Sequence, residues 1–292
     1  MSAQETQKKM TYVRLGNSGL KVSRIILGLM SYGSKQWSEW VLEEEEAIKH
    51  IKKAYDLGIQ TFDTANVYSN GESERIFGKA IKQLNLPRDE IVVMTKLYAT
   101  VGRNPGDKIM DRSQGEAQGY VNQSGLSRKH IFEAVKHSLE RLQLDYVDVL
   151  QCHRLLYREE EREMVPTLKM FGVGMIPWSP LARGLLTRPV SQSETTNRSQ
   201  TDPWAKYLNK TKDANDKIVS RVETIAKSKG VSMAQVAIAW SLSKDGMTAP
   251  IIGTTNLHNL EDIAGSIHVK LTEEEIKQLE EPYLPQAIVG HT

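Results

Sequence analysis

The sequence predicts an α/β fold built on parallel strands, and three observations carry that expectation. Short runs rich in Ile and Val alternate with segments whose apolar residues recur at helical spacing. The run over residues 91–96 is continuously apolar before its polar end, as in a strand buried on both faces. Asp63, Lys96 and His153 each close one of these runs, at the strand ends where parallel α/β barrels place their chemistry.

Residues 12–14 and 22–24, joined through Gly16-Asn17-Ser18-Gly19, read as an opening hairpin that would plug the floor of a barrel. The first barrel strand is expected over residues 25–30. Its helix follows over residues 43–57, where Ala47, Ile48, Ile51, Ala54 and Tyr55 share a face and the Glu43 to Glu46 run favours the first turn. Residues 59–63 form the second strand, 73–84 the second helix and 91–96 the third strand. Residues 98–126, rich in Gly, Asn, Asp and Gln, read as a long loop over the active face. Ser127 caps the next helix, whose stripe is Ile131, Ala134, Val135, Leu139 and Leu142.

A fourth strand is expected over residues 146–152, a helix over 155–170, a strand over 173–178 and a second polar loop over 183–215. A helix over 216–229 carries Ile218, Val222 and Ile225, and Ser232 caps a further helix to Leu242. The last strand spans residues 249–253. Thr272-Glu273-Glu274-Glu275 opens the last helix as a capping box, and Pro282 ends it. One domain over residues 1–292 is expected, with a polar tail at 1–10 and another at 283–292.

Composition bounds the function. A chain of 292 residues with 39% apolar residues can bury a large core. A formal charge of +2, with basic and acidic residues intermixed, leaves no electrostatic footprint for nucleic acid or an anionic membrane. The single Cys152 excludes an intramolecular disulfide and a multi-cysteine zinc site. The polar start shows no apolar signal segment and no run has the length of a membrane span, so a cytoplasmic soluble protein is expected.

Asp63, Tyr68, Lys96 and His153 together suit acid catalysis on a carbonyl. Reduction of an aldehyde or ketone needs a hydride donor, which no side chain provides, so a nicotinamide cofactor is implied. A free phenol titrates near pH 10, and an adjacent ammonium brings that value down, which makes Lys96 the partner of Tyr68. Asp63 could hold the ammonium, and His153 could donate a hydrogen bond to the substrate oxygen.

With Phe62-Asp63-Thr64-Ala65-Asn66-Val67-Tyr68, Lys96 and Leu150-Gln151-Cys152-His153, the chain resembles the aldo-keto reductases from Val13 to Gly290. The resemblance implies a TIM-type parallel (β/α) barrel, and Asp63, Tyr68, Lys96 and His153 match the family's catalytic tetrad. It implies NADPH/NADP laid across the carboxyl face. Trp178-Ser179-Pro180-Leu181-Ala182-Arg183-Gly184 matches the loop after the seventh strand. Gly253, Thr255, Asn259 and Asp262 lie in the segment matching the helix start after the eighth. Gly28 and Met30 stand where the family flanks the nicotinamide.

The match breaks after Arg154. The helix at 155–170 corresponds to the one after the family's sixth strand, so two units, strands 5 and 6, are missing, roughly 60 residues at about 30 per unit. The expected barrel is therefore incomplete or distorted. The groups that the family uses to orient the nicotinamide, a Ser-Asn pair and a Gln with a stacking aromatic, have no counterpart. The implied function is NADPH-dependent reduction of an aldehyde or ketone, impaired by the missing segment, in the aryl-alcohol dehydrogenase-like branch. The same residues also suit a cofactor-sensing subunit resembling the potassium-channel β subunits, or an inactive truncated product.

Overall fold

The structure, a computed structural model, describes residues 10–109, 111–152, 164–193, 195–201 and 212–284. Seven short strands are seen among them: β1 (Tyr12–Arg14), β2 (Lys21–Ser23), β3 (Ile26–Gly28), β4 (Thr61–Asp63), β5 (Val92–Leu97), β6 (Val149–Cys152) and β7 (Ile251–Ile252). The helices are α1 (Glu44–Asp56), α2 (Glu72–Gln83), α3 (Arg112–Ala117), α4 (Arg128–Leu142) and α5 (Met164–Met170), then α6 (Asn197–Thr201), α7 (Lys212–Lys229), α8 (Met233–Ser243), α9 (Leu257–Ala264) and α10 (Glu273–Glu280).

β1 and β2 form the expected antiparallel hairpin, with Val13 opposite Val22. It sits against the amino end of β4, where Ser23 and Thr61 bond through both hydroxyls and backbone amides in a buried knot. The turn of the hairpin at Gly16 and Asn17 packs on residues 172–174, and the Asn17 amide donates to Gly172 O at 2.6 Å. Gly16 has φ +57° and a Cβ there would overlap Gly172 O, so only glycine allows both the turn and the approach.

The other five strands make one parallel sheet in the order β6-β5-β4-β3-β7. Parallel pairing needs a crossover between neighbours, and α1, α2 and α4 supply it. The sheet extends past β7 through the segment predicted as a strand over 173–178, which pairs only through single parallel bridges at Met175 and Trp178. Pro177 has no amide proton, so it can only accept, which it does from Ile251 N at 2.8 Å. That interruption is why the segment falls short of a regular strand. Among the described residues the sheet is open, with β6 at one edge and the Met175–Trp178 bridges at the other.

The core lies between the sheet and its helices. Phe62 and Phe77 are fully buried with ring centroids 5.1 Å apart, and Ile25, Leu27, Ile51 and Ile59 pack around them. Each such side chain contributes about 1.5–3 kcal/mol on burial. The same cluster takes in Ala234, Ile238, Ile252 and Leu260, so the beginning and the end of the chain share one core.

Two predicted loops contain helices. The loop over 98–126 includes α3, which starts at Asp111, whose side chain accepts from Gln114 N. The loop over 183–215 includes 3-10 turns at Ala182–Thr187 and Val190–Gln192, as well as α6, and α7 begins at Lys212 rather than at residue 216. Side-chain caps override the low apolar periodicity in α3. Most of the helix predicted over 155–170 lies outside the described residues, as does most of the tail after Pro282. No described helix is long and apolar enough to cross a membrane.

Candidate active site

Parallel strands deliver their carboxyl ends to one rim, and sheet register aligns the residues there. Gly28 lies beside Asp63, Asp63 beside Met94, and Lys96 beside Gln151. Past β4 the ladder continues, with Thr64 N donating to Met94 O and Asn66 N to Lys96 O. Tyr68 follows in a tight 3-10 turn.

Three of the four predicted catalytic residues meet in this place. The Lys96 ammonium pairs with Asp63 Oδ2 and donates to Thr64 O at 2.9 Å and to the Tyr68 hydroxyl at 3.1 Å. All three of its protons are used. Asp63 is 2% exposed and Lys96 4%, so this ion pair is removed from water. Burial works against the ammonium, but Asp63 and Tyr68 outweigh it and hold the Lys96 pKa above its ordinary value. His153, the fourth residue, lies outside the described residues.

Lys96 pulls the Tyr68 pKa down as expected, but burial outweighs it. Burial raises the phenol's pKa above 10.0, while the Lys96 ammonium and, more weakly, Arg183 pull it down and Asp63 pushes it up. Desolvation wins because burial deprives the phenolate of the hydration that would stabilise its charge, and Lys96 shares its own charge with Asp63.

The turn that presents Tyr68 is held by residues that sequence reasoning passed over. Ser69, Asn70 and Gly71 are all left-handed, at φ 49°, 51° and 95°. Ser69 Oγ accepts from Ser34 N at 3.1 Å, close against Gly33, where a Cβ would overlap the hydroxyl. Asn70 is the hub. Its amide donates to the carbonyls of Asn104, Pro105 and Asp107, and its oxygen accepts from Gly102 N. The loop after β5 is thereby fastened to the turn after β4.

Beneath the turn, Glu74 is fully buried and takes Thr95 Oγ1 and Arg141 Nε, both at 2.6 Å. Thr64, Ser73 and Leu29 O form a second buried chain, each link 2.9 Å. Asp63 Oδ1 accepts from Gln151 Nε2 at 2.6 Å.

Several of the residues expected to hold a cofactor lie near the strands of this sheet, Gly28 in β3, Gly253 directly after β7, and Trp178 bridged to Ile251. The chain after Trp178 turns back through left-handed residues at Ser179, Ala182 and Arg183 and at Gly184, with Ala182 N donating to Ser179 O. Pro180 lies within this turn, and Leu181 anchors it in the core. The Arg183 guanidinium lies over the Trp178 ring at 5.7 Å, and its charge reaches Tyr68.

Gly253 ends β7 against Ser31 and Gly28 O, leaving bare backbone there, and Met30 lies half-buried in the adjoining 3-10 turn. Thr255 and Asn259 are exposed. Asp262 Oδ2 accepts from the hydroxyl of Ser232, the cap of α8.

Arg183 is a cationic side chain beside Trp178, Gly253 leaves bare backbone after β7, and the start of α9, capped by Asn256, has no acidic residue in its first turn. These features fit an anionic, phosphate-bearing dinucleotide.

The sequence pattern of the Aldo/keto reductase family matches residues 24–159 and 154–283. The chain belongs to the aldo/keto reductase family. Among its relatives in this family is the versiconal hemiacetal acetate reductase of Aspergillus parasiticus, 43% identical over 343 aligned positions that cover 96% of this chain and 98% of that protein. A provisionally named aryl-alcohol dehydrogenase of Schizosaccharomyces pombe is 43% identical over 345 positions, covering 96% and 97%. The aldo-keto reductase dtxS3 of Metarhizium robertsii is 38% identical over 353 positions, covering 98% and 95%. As an aldo/keto reductase of the aryl-alcohol dehydrogenase-like kind, the chain is an oxidoreductase.

Proposed function

We propose that this chain reduces aldehydes or ketones to alcohols with NADPH, and that Tyr68 gives the proton to the carbonyl oxygen. The observation that supports this most is Lys96 Nζ in contact with both Asp63 and the Tyr68 hydroxyl at the carboxyl ends of β4 and β5. In this reading Asp63 fixes the ammonium, Lys96 stabilises the phenolate left behind, and His153 steadies the substrate oxygen as the family resemblance implies. When bound, NADPH supplies the hydride that the carbonyl carbon accepts.

The Ser179–Gly184 turn, with Trp178 and Arg183, would hold one part of the dinucleotide. Gly253, Thr255 and the start of α9 with Asn259 would hold the other, and Gly28 and Met30 would flank the ring. Asp262 would act through the Ser232 cap rather than by touching it. Relatives named for a hemiacetal acetate and for aryl alcohols make aromatic aldehydes the first substrates to try.

The chain is read as one domain, on the strength of its shared core, that lacks two strand-helix units after Arg154. Alignments of 343 to 353 positions exceed its 292 residues, the family pattern matches in two pieces that meet at 154–159, and the sheet is open at the elements before and after that point. Because hydride transfer depends on placement at about the ångström level, turnover is expected to be slowed more than binding.

Quenching of protein fluorescence on NADPH titration, followed by loss of NADPH absorbance with an aromatic aldehyde, tests the proposal. Saturable quenching with slow, enzyme-dependent consumption supports it. No quenching, or quenching with no consumption of any carbonyl tried, rejects it.

A further inference from the structure

We propose that Gln151 is a positioning residue for the reduction, acting on Tyr68 through Asp63 and Lys96; this rests on the carbonyl-reductase reading above. Gln151 stands opposite Lys96 in the register of β5 and β6, so both side chains leave the sheet on the same face. The Gln151 amide lies 2.6 Å from Asp63 Oδ1, while Lys96 occupies Oδ2. Gln151 reaches Asp63 Oδ1 through its amide nitrogen Nε2, which donates.

Four groups on three strands and one turn therefore make a continuous chain: Gln151 donates to Asp63, Asp63 pairs with Lys96, and Lys96 donates to Tyr68. Asp63 opposes the ionisation of Tyr68, whereas Lys96 assists it. A donor on the far carboxylate oxygen draws off part of the negative charge and stops the carboxylate rotating, which leaves more of the Lys96 field for the phenol. The charged and titratable groups facing this carboxylate among the described residues are Lys96 and Tyr68, with Arg183 beyond Tyr68. Glu74 is bound by Arg141 and Thr95, and Asp148 at the start of β6 is bound by Arg88 and Val93 N.

Two variants separate positioning from packing. Gln151→Leu keeps the bulk and removes the donor, so Asp63 Oδ1 is left without its partner. Turnover should fall about tenfold with the carbonyl KM within about twofold, and the Tyr68 phenol should titrate at higher pH. That titration is read from tyrosinate absorbance as the difference between each protein and its Tyr68→Phe counterpart, which isolates one of ten tyrosines.

Gln151→Glu places a second carboxylate beside Asp63. Two carboxylates at this distance share one proton and the pair binds it more tightly than an unfolded Glu does, near pH 4.3. When that proton is present, the O–H of the introduced carboxyl donates to Asp63 as the amide did. The folded-state pKa is raised, so the folded protein binds a proton that the unfolded chain does not, and the variant's stability deficit shrinks as pH falls. Turnover should recover with it. The Leu variant should stay low throughout.

Denaturant unfolding of the protein without cofactor, from about pH 8 to about pH 5, reads the first effect without any turnover. The proposal is overturned if the Gln151→Glu deficit is independent of pH, or if Gln151→Leu keeps the parent's rate and Tyr68 titration. Failure of the parent to consume NADPH would instead remove the carbonyl-reductase reading, and the unfolding series would still decide whether Gln151 donates to Asp63.

Discussion

The Tyr68 hydroxyl lies 3.1 Å from the Lys96 ammonium, and the two residues arrive there from different strand ends 28 positions apart. Neither is polarised by its own segment. The pair exists because β4 and β5 are parallel neighbours in register, and because a left-handed turn fastened by Asn70 lays the phenol back over Lys96.

The Asn70 clamp predicts a graded response. Asn70→Gly keeps the left-handed backbone and loses the side-chain bonds, at a cost of about 2–4 kcal/mol from several hydrogen bonds of about 1 kcal/mol each. Asn70→Ala should cost about 1 kcal/mol more, because a Cβ disfavours positive φ. Urea unfolding measures both. Amide exchange in residues 102–107 should speed up in each, and unchanged exchange there would mean the clamp holds nothing.

Glu74 and Arg141 predict a non-additive cycle. Arg141→Met leaves Glu74 charged and buried, at a cost of about 3–5 kcal/mol. Removing Glu74 as well, in a Glu74→Met, Arg141→Met double variant, should restore much of that loss. Equal and additive losses in denaturant unfolding would contradict the pairing.

Several features of this fold were legible in the sequence because their causes are local. The hairpin follows from its Gly-Asn-Ser-Gly turn, and α4, α8 and α10 start where Ser127, Ser232 and Thr272 cap them. The cap of α3 was equally local, since Asp111 stands three residues before Gln114, but it was obscured by the polar composition around it. Asp63, Tyr68 and Lys96 could be placed at one rim from strand ends alone. Gln151 and Asn70 could not. Their partners lie 88 and 32 residues away, and nothing in a Gln before a Cys or an Asn after a Ser says which carboxylate or which loop it will meet. The sign of the Tyr68 shift was hidden too, because it is set by burial against charge and burial is a property of the finished packing.

His50 predicts a dependence on acid. Burial lowers its pKa below 6.5, against a weaker opposite pull from Glu46, and its Nδ1 lies 3.3 Å from the Tyr32 hydroxyl, which donates to Thr254 O. A depressed folded-state pKa means that stability is complete above about pH 6.5 and is lost as pH falls toward the folded value, because the unfolded chain takes up the proton first. Unfolding free energy measured from about pH 7.5 to about pH 5 should fall more steeply in the parent than in His50→Gln. Parallel curves would show that His50 does not titrate differently on folding.

The most direct measurement of the central claim compares the parent with Tyr68→Phe in one experiment, titrating NADPH by fluorescence and then following its absorbance after an aromatic aldehyde is added. The phenol touches Lys96 and supplies the proton in this account, so the variant should bind NADPH with nearly unchanged affinity and consume it at least about a hundredfold more slowly. Consumption by Tyr68→Phe at the parent rate would show that the proton comes from elsewhere.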